Sequence, residues 1–179
     1  MKNNDVKISK LLSYVLRHKP EAIGLTLDAE GWADIEALIS KSKKVRMTRE
    51  DISRVVENSD KQRFIISDDG QSIRANQGHS IKVDLGLTPT APPEYLFHGT
   101  ATRFWKSIQQ DGLKKMNRQH VHLSKDEKTA AKVGVRHGKL KILTVDSKSM
   151  AKAGHLFYVS KNGVWLTEYV PSEFLKAHD

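Results

Sequence analysis

Residues 63–75 read Arg63-Phe64-Ile65-Ile66-Ser67-Asp68-Asp69-Gly70-Gln71-Ser72-Ile73-Arg74-Ala75. Two short apolar-rich runs, Arg63 to Ile66 and Ser72 to Ala75, flank a polar loop that contains a glycine, and this pattern predicts a β-hairpin. Three helical segments precede it. Ile8, Leu11, Leu12 and Val15 recur at helical spacing, and Pro20 sets the limit of that helix. Asp34 is placed to cap a second helix whose apolar face is Ile35, Leu38 and Ile39. Thr48 and Asp51 have the spacing of a capping box, opening a third helix with Ile52, Val55 and Val56 on its apolar side. Helices followed by a hairpin fit a winged-helix-like lobe, a module that often docks on nucleic acid. They also fit a small α+β lobe that merely packs.

Beyond the hairpin, Thr88-Pro89-Thr90-Ala91-Pro92-Pro93 has too many prolines for a helix and suits an extended connector. A boundary there separates residues 1–88 from residues 89–179. The second half alternates strands with short helices: a strand at Tyr95–His98, then a helix capped by Thr100 or Thr102 and carrying Phe104, Trp105 and Ile108. A strand follows at His120–Leu123, then a helix opened by Ser124 in a capping box and running toward Val133 and Val135. Leu140–Val145 predicts a strand and the stretch with Met150 and Gly154 a turn. Leu156–Val159 and Val164–Leu166 then predict a hairpin closed by Asn162-Gly163. The fold class is therefore α+β, without the βαβ repeat of a doubly wound sheet.

Composition narrows the function. The 179 residues carry 30 basic and 21 acidic side chains, a net of +9. The excess lies in the second half, where residues 89–179 hold 15 basic against 8 acidic, whereas residues 1–88 hold 15 against 13. Such a balance favours anionic partners. The absence of cysteine excludes disulfides, thiolate catalysis and cysteine zinc sites, and points to a cytoplasmic protein. No apolar run reaches the length of a membrane span, and the N-terminus lacks the apolar core of a signal peptide.

Phosphate-loop, dinucleotide and HExxH zinc motifs are missing. His120 and His122 would share a strand face and His98 is a conceivable third ligand, but no supporting carboxylate is evident, so no metal is expected. What remains are three basic clusters: Arg17-His18-Lys19, the stretch Ile73 to Ser80, and Gly134-Val135-Arg136-His137-Gly138. Each has an ordinary reading: cations at a helix C-terminus, a strand end with a turn, and helix termination at a glycine. Together they suggest phosphate recognition, since guanidinium groups pair with phosphate oxygens and histidine moves protons near neutral pH.

Seven segments occur in order: Leu16-Arg17-His18, Gly31-Trp32-Ala33, Ile73-Arg74-Ala75-Asn76-Gln77-Gly78-His79-Ser80, Leu96-Phe97-His98-Gly99-Thr100, Val121-His122-Leu123-Ser124, Gly134 to Gly138, and Asn162-Gly163-Val164-Trp165-Leu166-Thr167. This ordered set resembles the RNA 2′-phosphotransferase family, also called tRNA 2′-phosphotransferase, over nearly the whole chain. The resemblance implies a winged-helix-like N-terminal lobe for RNA and a C-terminal lobe of the ADP-ribosyltransferase fold for NAD. It implies tRNA processing or RNA repair chemistry in two steps. The 2′-phosphate attacks the anomeric carbon of the nicotinamide ribose and expels nicotinamide, leaving an ADP-ribosylated 2′-phosphate. The ribose 2″-hydroxyl then attacks phosphorus and releases 2′-hydroxyl RNA and ADP-ribose 1″,2″-cyclic phosphate.

The family's catalytic Arg-His-Arg-Arg tetrad falls on Arg17, His18, Arg74 and Arg136. By the same resemblance, His98, Gly99, Thr100, His122, Ser124 and Val164 hold NAD, and Lys19, Asn76, Gln77, His79 and Ser80 contact RNA or its phosphate. Val164 stands where protein-modifying relatives of that fold often carry Glu, which argues against ordinary protein ADP-ribosylation. The alternatives are ADP-ribose transfer to a nucleic-acid terminal phosphate or a protein on the same scaffold, and a non-catalytic winged-helix nucleic-acid binder. Plain sheet packing is the alternative for His122 and Val164.

Overall fold

Ile8, Leu12, Val15 and Leu16 are fully buried along one face of α1 (Asn3–Arg17), and they anchor the first of two apolar cores. The computed structural model describes residues 3–178, and the chain divides into two compact units, Met1–Gly86 and Leu87–Asp179. After α1 comes one turn of 3-10 helix, Pro20–Ile23, then β1 (Ala33–Asp34), α2 (Ile35–Lys41), α3 (Arg49–Glu57), β2 (Phe64–Ile66) and β3 (Ser72–Ala75).

Local chemistry starts both later helices as expected. The Asp34 carboxylate accepts from the Ala37 amide at 2.7 Å. At α3 the capping box is complete, with Thr48 accepting from the Asp51 amide and Asp51 from the Thr48 amide. Such a cap is worth about 1 kcal/mol. Arg54 on α3 ties the helices together, reaching the buried Asp5 of α1 at 2.7 Å and Asp51 at 2.6 Å.

The hairpin forms with Ile66 opposite Ile73 and Phe64 opposite Ala75. A third strand, β1, was not anticipated, because two residues are too few to show alternation. It pairs with the free edge of β3, Ala33 opposite Ile73 and Asp34 opposite Ser72, and makes the order β1-β3-β2. Extending this register by one residue sets Trp32 beside Arg74.

The connector has no regular structure, and all of it falls within the second unit. The Thr90 amide donates to the Phe157 carbonyl, and the buried Ser147 hydroxyl donates to the Pro93 carbonyl at 2.7 Å.

That unit runs β4 (Leu96–Ala101), a 3-10 turn Thr102–Phe104, α4 (Trp105–Asp111), β5 (Leu113–Lys114), β6 (Val121–Leu123), α5 (Glu127–Gly134) and a 3-10 turn Val135–His137. It continues with β7 (Leu140–Val145), α6 (Ser147–Lys152), β8 (Phe157–Val159), β9 (Trp165–Thr167), β10 (Tyr169–Val170) and β11 (Leu175–Ala177). Every described strand pairing is antiparallel. A Phe97–Ser124 bridge joins two three-stranded sheets, β11-β7-β4 and β6-β9-β8; β5 and β10 form a separate pair. Leu96, Leu123, Leu143, Val145, Met150 and Phe157 form the core.

Several expectations need correction. The strand predicted at Tyr95–His98 runs instead from Leu96 to Ala101, because all six residues pair with β7. Neither Thr100 nor Thr102 caps α4, which is entered through the 3-10 turn with no side-chain cap. The cap of α5 is Asp126, accepting from the Thr129 amide at 2.7 Å, rather than Ser124, whose backbone is engaged in the bridge to Phe97. The supposed turn around Met150 is helix α6, capped by Asp146.

Helix α5 lies directly on β4. A β-carbon at Gly99 would stand 1.8 Å from the Ala130 carbonyl oxygen, and one at Gly134 would stand 2.8 Å from the Gly99 carbonyl carbon. Both positions therefore demand glycine, whatever else they do. Gly99→Ala must push α5 off the strand. The expected outcome is a loss of about 3 kcal/mol or more in urea unfolding of the second unit, at the upper end for overpacking a core.

Candidate functional site

In the first unit the end of α1 and the segment after β3 converge. The Ser80 amide donates to the Arg17 carbonyl at 2.9 Å, and the Ser80 hydroxyl lies 2.9 Å from His18 Nδ1. From Arg74 on β3 to Ser80 runs a buried polar stretch that includes Asn76, Gln77 and His79, with Gly78 at a φ of 88° allowing the chain to turn. Arg17, His18, Arg74 and His79 thus belong to one cluster, and Lys19 follows as an exposed residue at the entry to the 3-10 turn.

The side chains in this stretch differ in task. Asn76 donates its amide to the Gln62 carbonyl at 2.6 Å and closes the base of the hairpin. Arg74 is 8% exposed and has no carboxylate partner among the described residues. Its guanidinium lies 4.6 Å above the Trp32 ring, and Nη1 makes a long 3.4 Å contact to the Glu30 carbonyl. Arg17 approaches the Phe64 ring at 5.8 Å. Arg74 Nε, Gln77 Oε1 and both His79 ring nitrogens are buried without a hydrogen-bond partner among the described residues. Orphaned buried polar atoms are uncommon, and their clustering marks a place built for something other than packing.

Burial pushes the His79 imidazole down to about 4, and the charges of Arg17, His18 and Arg74 push the same way. His79 is therefore neutral at pH 7 and adds no positive charge beside the arginines.

In the second unit, His98 on β4 donates from Nδ1 to the His122 carbonyl at 2.9 Å across the junction of the two sheets. Burial holds its pKa below the ordinary value, opposed by that hydrogen bond and reinforced by His137 and Arg118. The neutral ring thus carries its proton on Nδ1 and keeps Nε2 as an acceptor. The His122 ring accepts at Nδ1 from Arg118 Nη1 at 3.2 Å, and because arginine only donates, its proton sits on Nε2. Continuing the β6–β9 register places His122, Ser124 and Val164 on one sheet face. Val164 lies at the mouth of the hairpin, its amide donating to the Ser160 hydroxyl.

Thr100 is buried two residues from His98 on the same face, while Gly99 faces α5. Arg136 is exposed on the 3-10 turn after α5. Of the four tetrad positions named from the sequence, Arg17, His18 and Arg74 lie in the first unit and Arg136 in the second. Among the described residues, no three His, Asp or Glu side chains are placed to hold a metal, and no helix is long and apolar enough to cross a membrane. Trp32, Arg118 and His137 were not identified as site residues from the sequence. Trp32 did stand in a quoted motif, but nothing local signalled that it would meet Arg74.

A buried guanidinium with no carboxylate partner among the described residues, in one cluster with a second arginine and a histidine, has the donor chemistry that suits phosphate oxygens. Residues 3–169 match the model of the RNA 2′-phosphotransferase, Tpt1 / KptA family. The chain is 56% identical over 171 residues to a protein of Flavobacterium johnsoniae, covering 94% of each. It is 58% identical over 171 residues to one of Pectobacterium carotovorum, covering 94% of this chain and 92% of the relative. A protein of Acaryochloris marina is 55% identical over 169 residues, 93% of each. All three relatives are named "Probable RNA 2′-phosphotransferase". The chain belongs to the RNA 2′-phosphotransferase family.

Because the folded-state pKa of His79 lies below the ordinary 6.5, the unfolded chain takes up the proton first as pH falls. Stability from this residue is whole above about pH 6.5 and is lost between there and about pH 4, by up to about 3 kcal/mol. Urea unfolding across that range should show the decline. His79→Phe should flatten it, leaving the part due to His98 and His120, both also lowered by burial.

Proposed function

We propose that this protein removes an internal 2′-phosphate from RNA at the expense of NAD, without a metal ion. The observation that carries the reading is the buried Arg74 guanidinium beside Arg17 and His18, with no carboxylate to neutralise it, in a chain of this family. A 2′-phosphate dianion supplies the charge such a cluster lacks, and paired N–H donors suit its oxygens. On this reading the first unit is a winged-helix-like RNA-binding lobe, with Lys19, Gln77, His79 and Ser80 around the phosphate. The second is an ADP-ribosyltransferase-like lobe that holds NAD.

The residues of the second unit suit a ribose. His98 Nε2 accepts from a ribose hydroxyl, and the Nδ1 bond to the His122 carbonyl fixes the ring. The His122 imidazole offers Nε2–H as a donor, since Arg118 occupies Nδ1. Ser124 and Thr100 add hydroxyls near the two rings.

Transfer begins when a 2′-phosphate oxygen bonds to the anomeric carbon of the nicotinamide ribose as its bond to nicotinamide breaks. Arg17 and Arg74 orient the nucleophile, and positioning matters most because the leaving group is already cationic. In the second step the ribose 2″-hydroxyl attacks phosphorus, its proton passing to a base such as His18, and the RNA 2′-oxygen leaves and is protonated. Arginine donors then stabilise the charge gathering on the phosphoryl oxygens.

The decisive experiment incubates the protein with NAD and an oligonucleotide bearing one internal 2′-phosphate, then identifies the products. The 2′-hydroxyl product and ADP-ribose 1″,2″-cyclic phosphate should form in the presence of a chelator. Release of inorganic phosphate without NAD would overturn the reading. His98→Ala should impair NAD use far more than RNA binding. Arg74→Ala should slow the second step on the order of 100- to 1000-fold, so that the ADP-ribosylated RNA accumulates in a single turnover. Equal slowing of both steps with no intermediate would refute that division of roles.

A further inference from the structure

The segment Gly31-Trp32-Ala33 has no role in the chemistry above, yet the Trp32 ring lies against the Arg74 guanidinium, 4.6 Å from ring centroid to Cζ. The turn that delivers it is tightly built. One carboxylate oxygen of Asp28 accepts from the Glu30 and Trp32 amides, both at 2.9 Å, and the Asp28 amide donates to the Trp32 carbonyl at 2.9 Å. Gly31 has a φ of 85°, and a β-carbon there would meet Val83 at 3.3 Å and His79 Nε2 at 3.5 Å. The Asp84 amide, donating to the Ala29 carbonyl at 2.8 Å, holds the outer side of the turn. Pairing of Ala33 with Ile73 then sets the indole alongside Arg74.

A buried arginine is usually held by a carboxylate, which takes up its charge and two of its donors. An aromatic face holds the same planar cation and leaves its in-plane N–H groups free to point elsewhere. We propose that Trp32 is a positioning residue for the phosphate site: its indole fixes the Arg74 guanidinium so that the N–H groups are presented to an RNA phosphate. This rests on the role assigned to Arg74 under the proposed function.

The test is a titration without NAD, so that no turnover occurs. Two oligonucleotides of one sequence are compared, one with a single internal 2′-phosphate and one with a 2′-hydroxyl there. They are titrated into the wild type, Trp32→Leu, Trp32→Phe, Arg74→Ala and the Trp32→Leu/Arg74→Ala double variant. Trp32→Leu should bind the phosphorylated oligonucleotide about 10- to 30-fold more weakly and the other unchanged, because a desolvated cation–π contact is lost while apolar volume is kept. Trp32→Phe should recover most of this, within about 3-fold of wild type. In the Arg74→Ala background the loss on adding Trp32→Leu should shrink below about 2-fold, the signature of one residue acting through the other.

Unaltered discrimination in Trp32→Leu overturns the proposal, as does an equal loss with and without Arg74, which would make the indole an RNA contact or a packing element. If Trp32→Leu does not fold, Trp32→Phe in the two backgrounds carries the same comparison through its smaller loss. A wild type that binds both oligonucleotides alike overturns the phosphate reading itself, a result separate from failure of the Trp32 coupling.

Discussion

A guanidinium that is nearly buried and has no carboxylate beside it is the constraint around which the first unit is arranged. Removing a cation from water is costly unless something replaces hydration. Here the replacement is the Trp32 face and one backbone carbonyl. Holding the indole there requires the Asp28-closed turn, the glycine at position 31 and the two-residue strand β1. The chain leaving β3 must then return to α1, which it does through Gly78 and the Ser80–Arg17 contact. His79, caught beneath the arginines, remains neutral because burial and their charges both oppose its protonation. The three-helix core serves as a platform for this arrangement, with Arg54 pinning α3 to α1.

The second unit solves a different problem, that of presenting two imidazoles in defined tautomers. Splitting the sheet between β4 and β6 lets the His98 ring reach a backbone carbonyl that a continuous ladder would have occupied. Arg118 sets the tautomer of His122 from outside the strand. Meanwhile the contact of Gly99 with Gly134 brings α5 against β4, so the turn bearing Arg136 follows immediately from a helix anchored to the strand of His98.

Much of this was legible in the sequence because it is local. The Asp34 and Thr48 caps, the hairpin from Phe64 to Ala75, the strand Leu140–Val145 and the Asn162-Gly163 turn all follow from neighbouring residues. Ser124 misled because its spacing imitates a capping box while its backbone serves a bridge between sheets. α6 escaped because six residues around Ser147 and Met150 carry too little periodicity to separate helix from turn. At the candidate site, the resemblance of ordered motifs supplied the arginines and histidines. The partners that set their state came from elsewhere: Trp32 lies 42 positions before Arg74, and Arg118 sits on an exposed loop with no pattern of its own. Long-range pairing of this kind leaves no periodic trace.

Holding Arg74 with an aromatic ring also has a consequence for ionic conditions. A carboxylate partner would cancel the arginine's field within a few ångströms, whereas a ring quadrupole leaves its net charge intact. The overall balance of residues 1–88 therefore understates the potential met by a polyanion approaching the α1 terminus. Each phosphate neutralised there displaces roughly one condensed counterion from the nucleic acid. On the proposed function, grip on RNA through this site would be tied to salt concentration, while the stack that holds the arginine, being between a cation and a quadrupole and partly shielded from solvent, would respond to salt far less.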